Sequence, residues 1–86
     1  MRDMPRSAPP SDIPQRSQVQ QFRVDQYSIR HYLFRFTYVW MTNGHEFWMF
    51  PTNVSNTTVM GFRWNWRFGW SFTGISLRNI AAFTCR

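Results

Sequence analysis

The stretch His31-Tyr-Leu-Phe-Arg-Phe-Thr-Tyr-Val-Trp-Met41, with Thr42-Asn43-Gly44 and then His45-Glu-Phe-Trp-Met-Phe50 behind it, decides the fold. Its even positions Tyr32, Phe34, Phe36, Tyr38 and Trp40 are all aromatic, while the odd positions Leu33, Arg35, Thr37, Val39 and Met41 are mixed. A period of two in aromatic and β-branched residues belongs to a strand with one wholly apolar face. Asn43-Gly44 is the strongest short hairpin signal, because a type I′ turn needs positive φ at both central residues. A two-residue loop there sets Thr42 opposite His45, Trp40 opposite Phe47 and Tyr38 opposite Met49, on the side of Phe36. That side is the expected core. The other side carries Arg35, Thr37, Val39, Met41, Glu46, Trp48 and Phe50, is too apolar for an ordinary wet surface, and is expected to meet a partner.

Outward from this hairpin, Pro51 is expected to end the ladder and residues 52–57 to form a polar loop. A third strand is expected over 58–64, with Gly61 as a bulge or bend. Asn65 marks a tight turn. Trp66, Phe68, Trp70 and Phe72 then alternate with Arg67, Gly69, Ser71 and Thr73 in a fourth strand that Gly74 breaks. Residues 75–79 read as a short turn of 3₁₀ or α-helix, and 80–85 as a fifth strand. Five short strands in residues 27–86 predict an all-β domain, a small, strongly bent five-stranded barrel of SH3-like or Sm-like type.

Inward lies a different composition. Residues 1–21 contain no Phe, Trp or Tyr but hold four of the five prolines, Pro5, Pro9, Pro10 and Pro14. Such a segment cannot bury enough apolar surface to offset its ordering entropy. Residues 1–26 are therefore expected to be a flexible Pro-rich arm, disordered unless bound. Its prolines interrupt any apolar run, so no signal peptide is expected. No apolar run approaches the roughly 20 residues of a spanning helix, so no transmembrane segment is expected.

With 86 residues the chain has room for one domain. One Cys and two His supply neither a disulfide framework nor the usual zinc set, and no metal or cofactor is expected. Asp3, Asp12 and Asp25 all lie in the arm and Glu46 is the only acid beyond it, which leaves no paired carboxylates and no Ser-His-Asp set in the folded part. The expected protein is not an enzyme. His45 and Glu46 are adjacent on a strand, so their side chains point to opposite faces. Asn53-Val-Ser55 and Asn56-Thr-Thr58 match the N-glycosylation triplet and, without a secretory signal, read as turn chemistry.

The words Asn43-Gly44-x-x-Phe47-Trp48-Met49-Phe50-Pro51-Thr52, Gly61-Phe62-Arg63-Trp64, Gly74-Ile75-Ser76-Leu77-Arg78-Asn79-Ile80 and Phe83-x-Cys85 resemble short aromatic-rich proteins of spore-forming bacilli, some associated with the spore coat. The resemblance covers residues 40–86 and implies a barrel with a closing Ile-x-Leu-x-x-Ile element. It implies no site residues and, with no signal peptide expected, a location in the bacterial cytoplasm or a spore coat.

Two functions follow. The first is a structural protein that self-associates through Val39, Met41, Trp48 and Phe50, with the arm reaching across that face and Cys85 available to cross-link copies, as in a spore coat or a fibre. The alternative rests on Phe62-Arg63-Trp64-Asn65-Trp66-Arg67-Phe68 at a hairpin tip, where guanidinium groups beside stackable rings suit single-stranded nucleic acid. That site would use Arg35, Arg63, Trp64, Trp66 and Arg67. Against it stands the plainer reading, in which those rings are core or interface and the arginines cover their edges by cation–π contact.

Overall fold

In a computed structural model, residues 4–16 and 25–85 are described. The expectations for residues 1–3, 17–24 and 86 lie outside them. Helix α1 (Gln26–Ile29) opens on Asp25, whose side chain accepts from the Ser28 backbone N–H while the Ser28 hydroxyl accepts from the Asp25 N–H. These reciprocal bonds satisfy donors that a helix start leaves unpaired. A 3₁₀ turn (Arg30–Tyr32) follows, then β1 (Thr37–Met41), β2 (Glu46–Val54), β3 (Thr58–Asn65), β4 (Gly69–Ser76), a second 3₁₀ turn (Leu77–Asn79) and β5 (Ile80–Cys85). The strands form one antiparallel sheet in the order β4-β3-β2-β1-β5.

The sheet is curled but not closed into the expected barrel. Strands β4 and β5 stand at its two edges, and no ladder joins them among the described residues. A flat five-stranded sheet would hold those edges about 19 Å apart. The three-residue link Leu77–Asn79 spans less than that, at most about 14 Å fully extended. Curling is therefore obligatory. The Leu77 N–H donates to the Thr57 carbonyl and the Thr42 N–H to the Asn79 carbonyl, both at 2.8 Å, which ties the link to the start of β3 and the end of β1.

The first hairpin differs from the expected one by a single residue. Val39 pairs with Phe47 and Tyr38 with Trp48, so the loop has three residues, Thr42-Asn43-Gly44. The Gly44 N–H donates to the Met41 carbonyl at 3.1 Å, the Met41 N–H to the His45 carbonyl at 2.8 Å, and Gly44 alone takes positive φ, at 93°. A type I turn with a following glycine demands left-handed backbone at one residue, where type I′ demands it at Asn43 as well. A one-residue slip turns every side chain of the return strand to the other face. The core accordingly holds Val39, Phe47 and Met49 with Ile29, Val59, Ile75, Leu77, Ile80 and Phe83, and Met41 packs against it. Tyr38, Trp40 and Trp48, expected on opposite sides, share the outer face with Ala82.

Three further expectations change. Strand β2 continues through Pro51 past a bulge at Thr52, so the loop shrinks to Ser55-Asn56-Thr57. Pro51 is tolerated because β1 begins only opposite Met49 and leaves no partner strand beside Pro51 on that side, and its carbonyl accepts instead from Phe34, which takes left-handed backbone at φ 61°. Strand β4 starts at Gly69 and passes through Gly74, which leaves Trp66, Arg67 and Phe68 as a hairpin tip held by Asn65, whose Oδ1 accepts from the Arg67 and Phe68 N–H groups.

Candidate functional site

The outer face is built by period two from four strands. It gathers Phe36, Tyr38 and Trp40, then Trp48 and Phe50, then Phe62 and Trp64, then Trp70 and Phe72. The rings meet edge to face or stacked: Tyr38 lies 5.0 Å from Trp48, Trp64 5.0 Å from Trp70, and Phe36 stacks on Trp70 at 6.1 Å. Such pairs stabilise by roughly 0.5–1.5 kcal/mol beyond their burial. This is a second apolar layer on a domain that already has a core.

The N-terminal arm covers the part of it around Trp64 and Trp70. The Trp70 indole N–H donates to the Ser7 carbonyl at 2.9 Å, and a cleft of about 600 Å³ lies between residues 4–8 and Trp64, Gly69 and Trp70. Pro9 is buried, and Ile13 reaches a second cavity of about 340 Å³ that Trp48 and Trp64 also line. The indole N–H groups of Trp48 and Trp64 are buried with no acceptor among the described residues. Ser7 and Pro9 of the arm thus lie against the body, and Ile13, 51% exposed, borders its cavity.

The second cavity also brings together most of the arginine–aromatic set. Arg63, Trp64, Trp66 and Arg67 line it, whereas Arg35 does not. Arg35 precedes β1 beside Phe34, whose N–H reaches Pro51, at the far end of β2 from the cavity. The Arg63 guanidinium lies 4.1 Å above the Phe47 ring and that of Arg67 5.6 Å from Phe68. Both are cation–π distances. Trp66 and Phe68 are 67% and 79% exposed, so the plainer reading of them as core does not hold.

The expected self-association face is divided. Val39 is fully buried and Met41 packs on the core, while Trp48 and Phe50 belong to the outer face and Trp48 is 2% exposed. Cys85 is half-buried at the end of the edge strand β5. Sequence reasoning missed Phe36, Trp70, Ser7 and Ile13. Their signal was a surplus, since rings at every even position of β1 together with Phe36, Trp70 and Phe72 outnumber what one small core holds.

At the rim the buried Tyr38 hydroxyl donates to the Glu46 carboxylate at 2.8 Å. Burial first, then that hydrogen bond and the negative charge, push the phenol above its ordinary range. The fold thus holds the proton more tightly than the unfolded chain, where a tyrosine titrates near pH 10. This contribution is complete below about pH 10 and is lost as pH rises beyond it. Denaturant midpoints should therefore fall above about pH 10, and Tyr38→Phe should flatten that decline; Tyr38 ionising near pH 10 with the fold intact would contradict the burial.

Comparison with protein-family models, curated proteins and solved structures finds no match for the chain. Among the described residues no helix is long and apolar enough to cross a membrane.

Proposed function

We propose that the chain is a non-enzymatic, self-assembling structural protein, a coat or fibre subunit, whose copies join by pairing β4 of one with β5 of the next. One observation carries this reading: neither edge strand carries a charge or a proline, and among the described residues neither has a second strand paired to it. Residues 69–77 and 79–85 contain no charged residue and no proline. Sheet edges present unpaired N–H and C=O groups, and proteins that stay monomeric blunt them with charges, prolines or a covering segment. Joining two different edges is a heterologous contact, which closes into a ring or runs on as a filament. In this reading the curled sheet is a small SH3-like or Sm-like barrel left unclosed in the single copy, its free edges continued by neighbours. Cys85 then lies at the joint, and the predicted face of Val39, Met41, Trp48 and Phe50 does not.

A second reading has an observation of its own, the convergence of Arg63, Trp64, Trp66 and Arg67 on one cavity. Stacking rings with phosphate-binding cations are the parts of a single-strand nucleic-acid site.

Light scattering decides between them. The wild-type mass should be a multiple of 10.5 kDa, and it should persist at about 1 M salt, where charge contacts are screened within about 3 Å. Gly74→Lys places a charge on the β4 edge. Its Cβ would meet only Met60 Cγ and Thr58 Cγ2, each at 3.6 Å, so the fold accepts it. The variant should fall toward 10.5 kDa with unchanged circular dichroism. An unchanged assembly in Gly74→Lys overturns edge pairing. A monomer that binds a single-stranded oligonucleotide steeply weakened by salt replaces it with the second reading.

A further inference from the structure

We propose that the aromatic outer face is a binding site for the proline-rich segment 4–14, and that in the assembled protein this segment is exchanged, the arm of one copy seating on the face of another. The proposal rests on the reading of the chain as self-associating but uses a surface separate from the sheet edges.

The occupant already sits on this face within one copy. Trp70 holds the Ser7 carbonyl at 2.9 Å, Pro9 is buried, and Ile13 lines the cavity of Trp48 and Trp64. The chemistry matches on both sides. Pro5, Pro9, Pro10 and Pro14 have no N–H, so this stretch offers ring carbons and carbonyl acceptors with few competing donors. Aromatic grooves bind such segments because little conformational entropy remains to be lost. The face adds indole donors, and those of Trp48 and Trp64 have no acceptor among the described residues. Among residues 4–15 there is no helix or strand, so the segment owes its place to the face and not to structure of its own.

Exchange follows from reach and mass action. Eight residues, 17–24, join the segment to α1. Eight residues extend to about 27 Å. The body measures 32 × 27 × 22 Å, so the linker reaches one body width along either shorter axis, as far as the matching face of a copy adjoining there. Contacts made in cis and in trans are chemically identical, and their balance is set by effective concentration, about millimolar for a short linker. Copies aligned edge to edge meet each other's arms at a similar concentration.

The test mixes two full-length variants, both carrying Gly74→Lys to silence the edges. One has an intact arm and a disabled face, Trp70→Ala. The other has an intact face and a disabled arm, Pro9→Ser with Ile13→Ser. Each alone should have a mass of 10.5 kDa, and their mixture should approach twice 10.5 kDa. A mixture that stays at 10.5 kDa at about 100 µM chain overturns the exchange. If Trp70→Ala fails to fold by circular dichroism, Trp70→Phe keeps the ring and removes only the donor; the mixture should then still pair, and a wholly monomeric one again overturns the proposal. Assembled wild type with a monomeric mixture leaves edge pairing standing alone. Monomeric wild type with a paired mixture removes edge pairing and keeps the arm site.

Discussion

Trp48→Glu should unfold the domain. Trp48 is 2% exposed, between Tyr38 on β1 and Trp64 on β3, and its ring meets Tyr38 edge to face. Deleting a buried tryptophan costs about 3–5 kcal/mol. Placing a carboxylate there adds a desolvation penalty that a ring-lined site does not repay in full, even with Arg63 and Arg67 on the adjoining cavity. Domains of this size are stable by only about 5–10 kcal/mol, so circular dichroism should show loss of most β signal. Trp66→Glu is the control, because Trp66 at the hairpin tip is 67% exposed and should fold as wild type. The pair separates two hairpins. With a two-residue loop Trp48 would face a partner, and its substitution would dissolve an assembly while sparing the fold. A folded Trp48→Glu would therefore sink the three-residue loop and the facing of β2 that follows from it.

The second large effect is expected at Gly61. A Cβ there would run into the Phe50 carbonyl oxygen and stand 2.7 Å from Pro51 Cα. Both are backbone atoms of the paired strand, opposite the bulge at Thr52, and neither can swing aside as a side chain would. Only glycine permits this approach. Gly61→Ala should cost roughly 2–3 kcal/mol, within the range seen when a packed interior is overfilled. For a domain of this length that lowers Tm by about 10–20 °C. Gly74→Ala, on the open edge with its nearest neighbours at 3.6 Å, should change stability by under about 0.5 kcal/mol. If the two alanine variants melt together, the close approach of β2 and β3 is not what holds Gly61 in place.

These two substitutions show where local information was sufficient and where it was not. The number and order of the strands, the turn at Asn43-Gly44 and a 3₁₀ link before β5 were legible because alternation, φ-permissive residues and punctuation act over a few residues. Their bounds were not, since β1 begins only at Thr37, after a 3₁₀ turn at Arg30–Tyr32, and β4 runs over Gly69–Ser76 and not 66–73. The register of the first hairpin was not. With Tyr38 and Trp40 on one side and Val39 and Met41 on the other, both faces of β1 are apolar, and either loop length gives an apolar core. Distant residues settle it: Ile29 from α1, Leu77 from the 3₁₀ link and Phe83 from β5 pack on the Val39 side, and none of them lies near the hairpin in sequence. The arginine–aromatic cavity was half legible, since Arg63, Trp64, Trp66 and Arg67 sit within one hairpin while Arg35 lies at the other end of β2.

By itself the sequence determined an all-β chain with a proline-rich arm and a hairpin tip of arginines and rings. It also left residues 69–77 and 79–85 free of charge, since none of these depends on more than a few neighbouring residues. Tertiary structure alone decided which face became the core, that those uncharged strands stand at the edges of a sheet that curls without closing, and that Ser7 and Pro9 of the arm lie against the body. Each of those outcomes depends on surfaces that exist only after strands far apart in the chain have been brought side by side.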